Sequence, residues 1–102
     1  MNQIYLIKNT EESYYKIGVT VNPQKRLSQL QTGCPSKLVI IDTYASDMAY
    51  KVEKVFHNRY SHLKKEGEWF NFSIVEEQKF KKECKDIENT LNILAKSTDI
   101  LF

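Results

Sequence analysis

The sequence predicts an α+β fold: a small, mostly antiparallel three-stranded sheet flanked by helices, with a further helix toward the C-terminal end. Three observations predict it. Residues 4–8 (IYLIK) and 14–20 (YYKIGVT) are rich in β-branched and aromatic side chains, and the NTEES segment between them consists of turn formers, the pattern of a hairpin with a longer loop. Residues 37–44 (KLVIIDTY) form a third run with an apolar centre. Elsewhere apolar residues recur at three- and four-residue steps, the period of a helix face.

Taken in order, the hairpin comes first. Asn22 followed by Pro23 then reads as a helix N-cap and a first helical position, where proline's missing N–H costs nothing. That helix runs to about Gln31 with Leu27 and Leu30 toward the core, and Gly33 suits the left-handed position just past its end. Cys34-Pro35-Ser36 is a turn. The third strand follows beside the hairpin, and its continuous apolar centre predicts burial on both faces. Ser46 or Asp47 caps a helix reaching about Leu63, with Met48, Val52, Val55, Phe56, Tyr60 and Leu63 as its core stripe.

Residues 64–67 (KKEG) read as a charged turn and residues 68–72 (EWFNF) as a short aromatic strand or extended segment, with Trp69, Phe70 and Phe72 as core anchors. Ser73 and Glu76 have capping-box spacing and open a final helix over about 74–96. Its seam of Phe80, Cys84, Ile87, Leu91 and Leu94 is narrow and short, which favours a helix lying along the domain over a coiled-coil dimer. Residues 97–102 are expected to fray.

A chain of 102 residues predicts one domain, 1–102, since it supports a single core and not two. With 41% hydrophobic and 27% charged residues it reads as a folded, soluble protein. There is no apolar run of membrane-spanning length and no secretory pattern at the N-terminus, so a cytoplasmic location without membrane contact is expected. Cys34 and Cys84 stand apart from each other and from any histidine pair, the pattern of buried free thiols rather than a zinc site. Net charge is only +2, but residues 1–70 hold ten Lys and Arg against seven Asp and Glu, while residues 71–102 hold five against six. The positive excess lies where a phosphate-binding surface would need it.

Five positions carry candidate chemistry. The hairpin and the helix after it bring Tyr5, Lys16 and Arg26 toward one patch. Glu53 and His57, at i and i+4, fall on one flank of the core stripe of their helix, at the border of core and solvent. Gly18 permits either a close approach or a bulge in its strand. Lys25 and Asn71 are further polar candidates, while Tyr50 and His62 read as surface residues.

The order QIY, YKIG, Arg26, VEKVFH and GEWFNF resembles the GIY-YIG nuclease superfamily, and within it the small phage and bacterial branch with YKIG and GEWF motifs. The resemblance covers residues 3–72. It implies an endonuclease or nickase that hydrolyses DNA phosphodiester bonds, with Tyr5 accepting a proton from the attacking water and Arg26 binding the scissile phosphate. It further implies that Glu53 holds one Mg²⁺ (or Mn²⁺), and that His57 positions water, a ligand or a phosphate. Lys16 becomes the cation beside Tyr5, since a free tyrosine is a poor base at neutral pH. Lys16, Arg26 and Lys25 would contact DNA, and a homodimer or partner protein would supply a second active site.

Two positions depart from the commonest pattern. Gln3 replaces the glycine of the first motif, and Lys16 stands where the YIG tyrosine would be. Tyr15 does not substitute for that tyrosine, because neighbouring strand side chains point to opposite faces. These departures keep two other readings open: a catalytically inactive nucleic-acid-binding or regulatory module on the same fold, and an RNA-directed nuclease.

Overall fold

The computed structural model describes residues 1–101, and side chains through Lys96. Five strands make one sheet: β1 (Gln3–Asn9), β2 (Tyr14–Thr20), β3 (Leu38–Ala45), β4 (Lys64–Glu66) and β5 (Trp69–Phe70), in the order β3-β1-β2-β5-β4. All four pairings are antiparallel. The helices are α1 (Pro23–Gln31), α2 (Ala49–Arg59) and α3 (Ile74–Leu101), with a 3-10 turn at Ser61–Leu63.

The sheet therefore has five strands where the sequence predicts three. The charged turn at 64–67 is a strand followed by a bend at Gly67, whose φ of 57° lies in the left-handed region that glycine enters freely. Nothing in a fully exposed Lys-Lys-Glu run favours a strand. It pairs because Trp69 and Phe70 are drawn in beside Lys16 and Tyr15, which gives β5 a free outer edge to fill.

Strand alternation gives the sheet two different faces. Ile4 and Leu6 of β1 with Tyr15 and Ile17 of β2 pack against Val52 and Phe56 of α2 and Phe80, Cys84 and Ile87 of α3. Tyr5 and Ile7 look the other way, with Leu38 and Trp69, toward Leu27 and Leu30 of α1. Most of β3 is only half-buried, contrary to the two-sided burial expected of its apolar run, because it is the edge strand next to β1.

Helix boundaries follow local chemistry. Asn22 caps α1, its side chain accepting the Lys25 N–H at 3.1 Å ahead of Pro23, and Gly33 past the helix end has a φ of 77°. Helix α2 is shorter than expected and ends at Arg59. The Ser46 hydroxyl accepts the Met48 N–H just ahead of it and donates to Glu88 of α3. Ser73 opens α3 by donating to the Glu76 carboxylate and accepting the Val75 N–H. The helix runs five residues beyond the predicted end; the fraying expected of residues 97–102 falls on side chains, and at Phe102 on a residue, outside those described.

Helix α3 is fixed by polar clamps as well as by its seam. The hydroxyls of Tyr15, Tyr60 and Tyr44 donate to Glu77, Glu83 and Glu88 at 2.7, 2.6 and 3.0 Å. Burial raises the pKa of all three phenols, so they stay donors across neutral pH. Cys84 is buried as expected; Cys34 is only half-buried. Among the described residues no helix is long and apolar enough to cross a membrane.

Candidate functional site

Tyr5 is the centre of the site. It is 1% exposed, and its ring lies across Gly18, its cross-strand partner. A Cβ on Gly18 would stand 2.3 Å from the Tyr5 hydroxyl oxygen and 2.5 Å from Cζ. The β1–β2 register is unbroken here and Gly18 has no positive φ, so the glycine serves close approach and not a bulge. Gln3 sits in ordinary extended strand between Thr20 and Ala45, so the missing first-motif glycine leaves the strand undisturbed.

The cation in contact with Tyr5 is Arg26, which corrects the expectation of Lys16 in that place. Arg26 lies in the first turns of α1, its own N–H bonded to the Asn22 carbonyl at 3.0 Å, and its Nε donates to the Tyr5 hydroxyl at 3.5 Å. Among the described residues no carboxylate pairs with its guanidinium. Burial raises the Tyr5 pKa above its ordinary value of 10.0, opposed by the Arg26 hydrogen bond and charge. Tyr5 is thus a neutral phenol at rest, with an arginine poised to stabilise its anion.

Lys16 shares this face but is held elsewhere. It is 9% exposed, its ammonium pairs with Glu68 at 3.1 Å, and it sits 5.5 Å from the centre of the Trp69 ring. Register explains the difference, since Lys16 stands opposite Ile7, one residue pair of the same face away from Tyr5. Tyr15 points to the opposite face, as alternation requires.

Helix α2 reaches the same region past the end of β5. That strand pairs with β2 only at Tyr15 and Lys16, and the Ile17 carbonyl beyond them lies 3.0 Å from His57 Nε2. Facing a carbonyl acceptor, Nε2 carries the proton, and the ring also packs edge-on against Phe70 at 4.9 Å. His57 thereby ties α2 to the open edge of β2 and fixes Glu53 one turn away. Glu53 is half-buried, and burial raises its pKa above 4.5, with Glu68 adding to the rise and His57, Lys16 and Lys64 opposing it. Its charge also bears on Tyr5.

A model of the T5orf172 domain matches residues 2–92. The chain belongs to the T5orf172 domain family. The match spans every strand, α1, α2 and all the residues named above. Neither the curated proteins nor the solved structures gave a match.

Within this T5orf172 domain the remaining candidates are less engaged. Lys25 is exposed beside Arg26. Asn71 is exposed, its N–H given to the Leu63 carbonyl at 2.8 Å; Tyr50 and His62 are surface residues as expected. Glu68 is the residue that sequence reading missed. It lies inside the GEWF motif, where local pattern marks only a strand position, and it precedes the aromatic pair that docks beside Lys16.

The raised pKa of Glu53 bears on stability. A raised native pKa means the folded state holds this proton more tightly than the unfolded one, so stability falls as pH rises from the unfolded value through the folded value. Glu53→Gln is therefore expected to raise the Tm of the metal-free protein at neutral pH and to flatten its pH dependence on the acid side, measured by thermal melts in EDTA.

Proposed function

We propose that this T5orf172 domain is a metal-dependent endonuclease or nickase of the GIY-YIG type that hydrolyses DNA phosphodiester bonds. Family membership supports a DNA-related, nuclease-like role. The observation that carries the finer reading is the Arg26–Tyr5 contact over Gly18, with the Glu53 carboxylate near enough to bear on Tyr5.

Among the described residues no three His, Cys, Asp or Glu side chains gather into a metal cage. A half-buried carboxylate whose negative charge is poorly solvated gains from a hard ion bound by one protein ligand, waters and phosphate oxygens, as Mg²⁺ or Mn²⁺ is. Such an ion on Glu53 would supply positive charge to the phosphate and its departing oxygen.

The chain's own groups do the rest. The Arg26 guanidinium binds non-bridging oxygens of the scissile phosphate, its fork giving charge and direction together, while Nε retains Tyr5. The Tyr5 anion, formed by loss of the phenolic proton to solvent and stabilised by the Arg26 charge, accepts the proton of the attacking water. Lys16, charge-matched by Glu68, lends a second positive group to the same face, and Lys25 contacts the flanking backbone. His57 acts by holding α2. One site cuts one strand per encounter, so double-strand cleavage would take a second copy, a partner or a second nick.

Relaxation of supercoiled plasmid tests this: wild type with Mg²⁺ or Mn²⁺ is expected to convert it to open circles, and EDTA to stop the reaction. Plasmid that stays supercoiled while the protein binds it would instead support the inactive binding module. The proton's route has its own test. Because the Tyr5 pKa lies above 10.0, its anion grows about tenfold per pH unit between about 7 and 9, and the cleavage rate should rise with it. Tyr5→Phe should be slow and flat over that range; a variant that keeps the slope would place the base elsewhere.

A further inference from the structure

The face of the sheet that carries Tyr5 continues, away from Arg26, into a cleft of about 750 Å³. Asn9 and Tyr14 are paired at the hairpin end of β1 and β2, and alternation puts both on the face of Tyr5 and Gly18. Trp69 lines the cleft as well, and the Lys16 ammonium, paired with Glu68, stands 5.5 Å from the centre of its ring. Lys65, Glu12 and Glu66 stand around it, with the Lys65 ammonium 4.4 Å from the centre of the Tyr14 ring. Asn9 lies four residues from Tyr5 along β1, about 13 Å, within about four stacked nucleotides of it.

Asn9 is the telling residue. It is 8% exposed, and its side-chain oxygen accepts the N–H groups of Glu11 and Glu12, both at 3.1 Å. Its amide nitrogen has no hydrogen-bond partner among the described residues, and no buried atom of this kind is sealed from solvent. A buried amide thus holds two N–H donors at the cleft with its oxygen already spent.

We propose that the cleft receives one unpaired nucleobase of the strand whose phosphate lies at Arg26, with preference for bases carrying an exocyclic amino group. This rests on the nuclease reading for the placing of that phosphate. The indole and phenol rings offer the stacking surface that a base of any kind can use. The Glu12 and Glu66 carboxylates outnumber the Lys65 ammonium, which is held on Tyr14, so the cleft favours a neutral base over the backbone, and the carboxylates accept hydrogen bonds from exocyclic amino groups. The Asn9 amide donates to the ring nitrogens or carbonyls beside such a group. Thymine has no amino group to offer the carboxylates.

Trp69 is the chain's single tryptophan, so intrinsic fluorescence reports on this cleft directly. The experiment titrates the wild-type protein in EDTA with dye-labelled or unlabelled octamers of deoxycytidine, of thymidine and of abasic deoxyribose phosphate, following Trp69 emission and dye anisotropy in parallel. Deoxycytidine is expected to change the emission saturably, thymidine to do so only at several-fold higher concentration, and the abasic octamer to bind by anisotropy without changing it. Tyr14→Ala, at a half-buried position outside the core, should weaken deoxycytidine binding about tenfold and leave abasic binding unchanged. An abasic octamer that changes the emission as deeply as deoxycytidine, or binding by anisotropy with no emission change from any octamer, or no binding at all, would overturn the proposal. Equal response to deoxycytidine and thymidine would overturn the amino-group preference. Failure here while plasmid relaxation succeeds removes the cleft alone; an emission change without relaxation leaves the base site standing and removes the nuclease.

Discussion

Gly18→Ala is expected to lower DNA cleavage by about a hundredfold or more, the scale on which a displacement near 1 Å costs an enzyme. The added methyl would meet the Tyr5 ring at 2.3–2.5 Å, and a rigid phenol packed at 1% exposure has no flexible end to give way. The ring must leave its place over β2, and with it the Arg26 contact. Overpacking of this kind also destabilises, by about 1–3 kcal/mol. The two effects separate under measurement at a temperature well below the variant's Tm, where the fold is intact and cleavage is still lost. Retention of wild-type cleavage would mean that the Tyr5 position is immaterial to the chemistry.

Arg26→Ala is expected to lower single-turnover cleavage by about 10²–10³-fold, the usual cost of removing one preorganised donor from a developing charge. Two losses combine. The phosphate loses its fork, and Tyr5 loses the cation bonded to its hydroxyl, so burial and the Glu68 and Glu53 charges set a still higher pKa. The second loss has a distinct signature: the alkaline rise in rate moves to higher pH. Arg26→Lys keeps the charge without the bidentate geometry and should recover part of the rate. Equal rates for wild type and Arg26→Ala would place the phosphate elsewhere, the Lys16 side of the face being the next candidate.

Much of this arrangement is legible in the sequence, for identifiable reasons. The hairpin, the Asn22-Pro23 start of α1 and the opposite facing of Tyr15 and Lys16 follow from local rules of strand alternation and helix capping. The i and i+4 spacing of Glu53 and His57 places both on the half-buried flank of α2, as helical geometry requires. What escaped depends on pairing between distant segments. Strand β4 has the composition of a turn and exists because β5 offers it an edge. The partial exposure of β3 follows from its place at the sheet edge, which no local pattern records. Nearness in the hairpin suggests Tyr5 as the partner of Lys16; the partner in the fold, Glu68, arrives just ahead of β5 from a distant part of the chain.

In the proposed reaction Glu53 serves catalysis through a metal ion and not folding or DNA binding. The most direct measurement puts wild type and Glu53→Gln side by side on one labelled DNA, first for affinity in EDTA and then for single-turnover cleavage with Mg²⁺ or Mn²⁺. The predicted result is equal affinity in EDTA, cleavage by wild type only when metal is added, and loss of at least about a thousandfold in the variant. Cleavage by Glu53→Gln at the wild-type rate, or a wild type that binds the DNA and leaves it whole in both metals, would contradict the account.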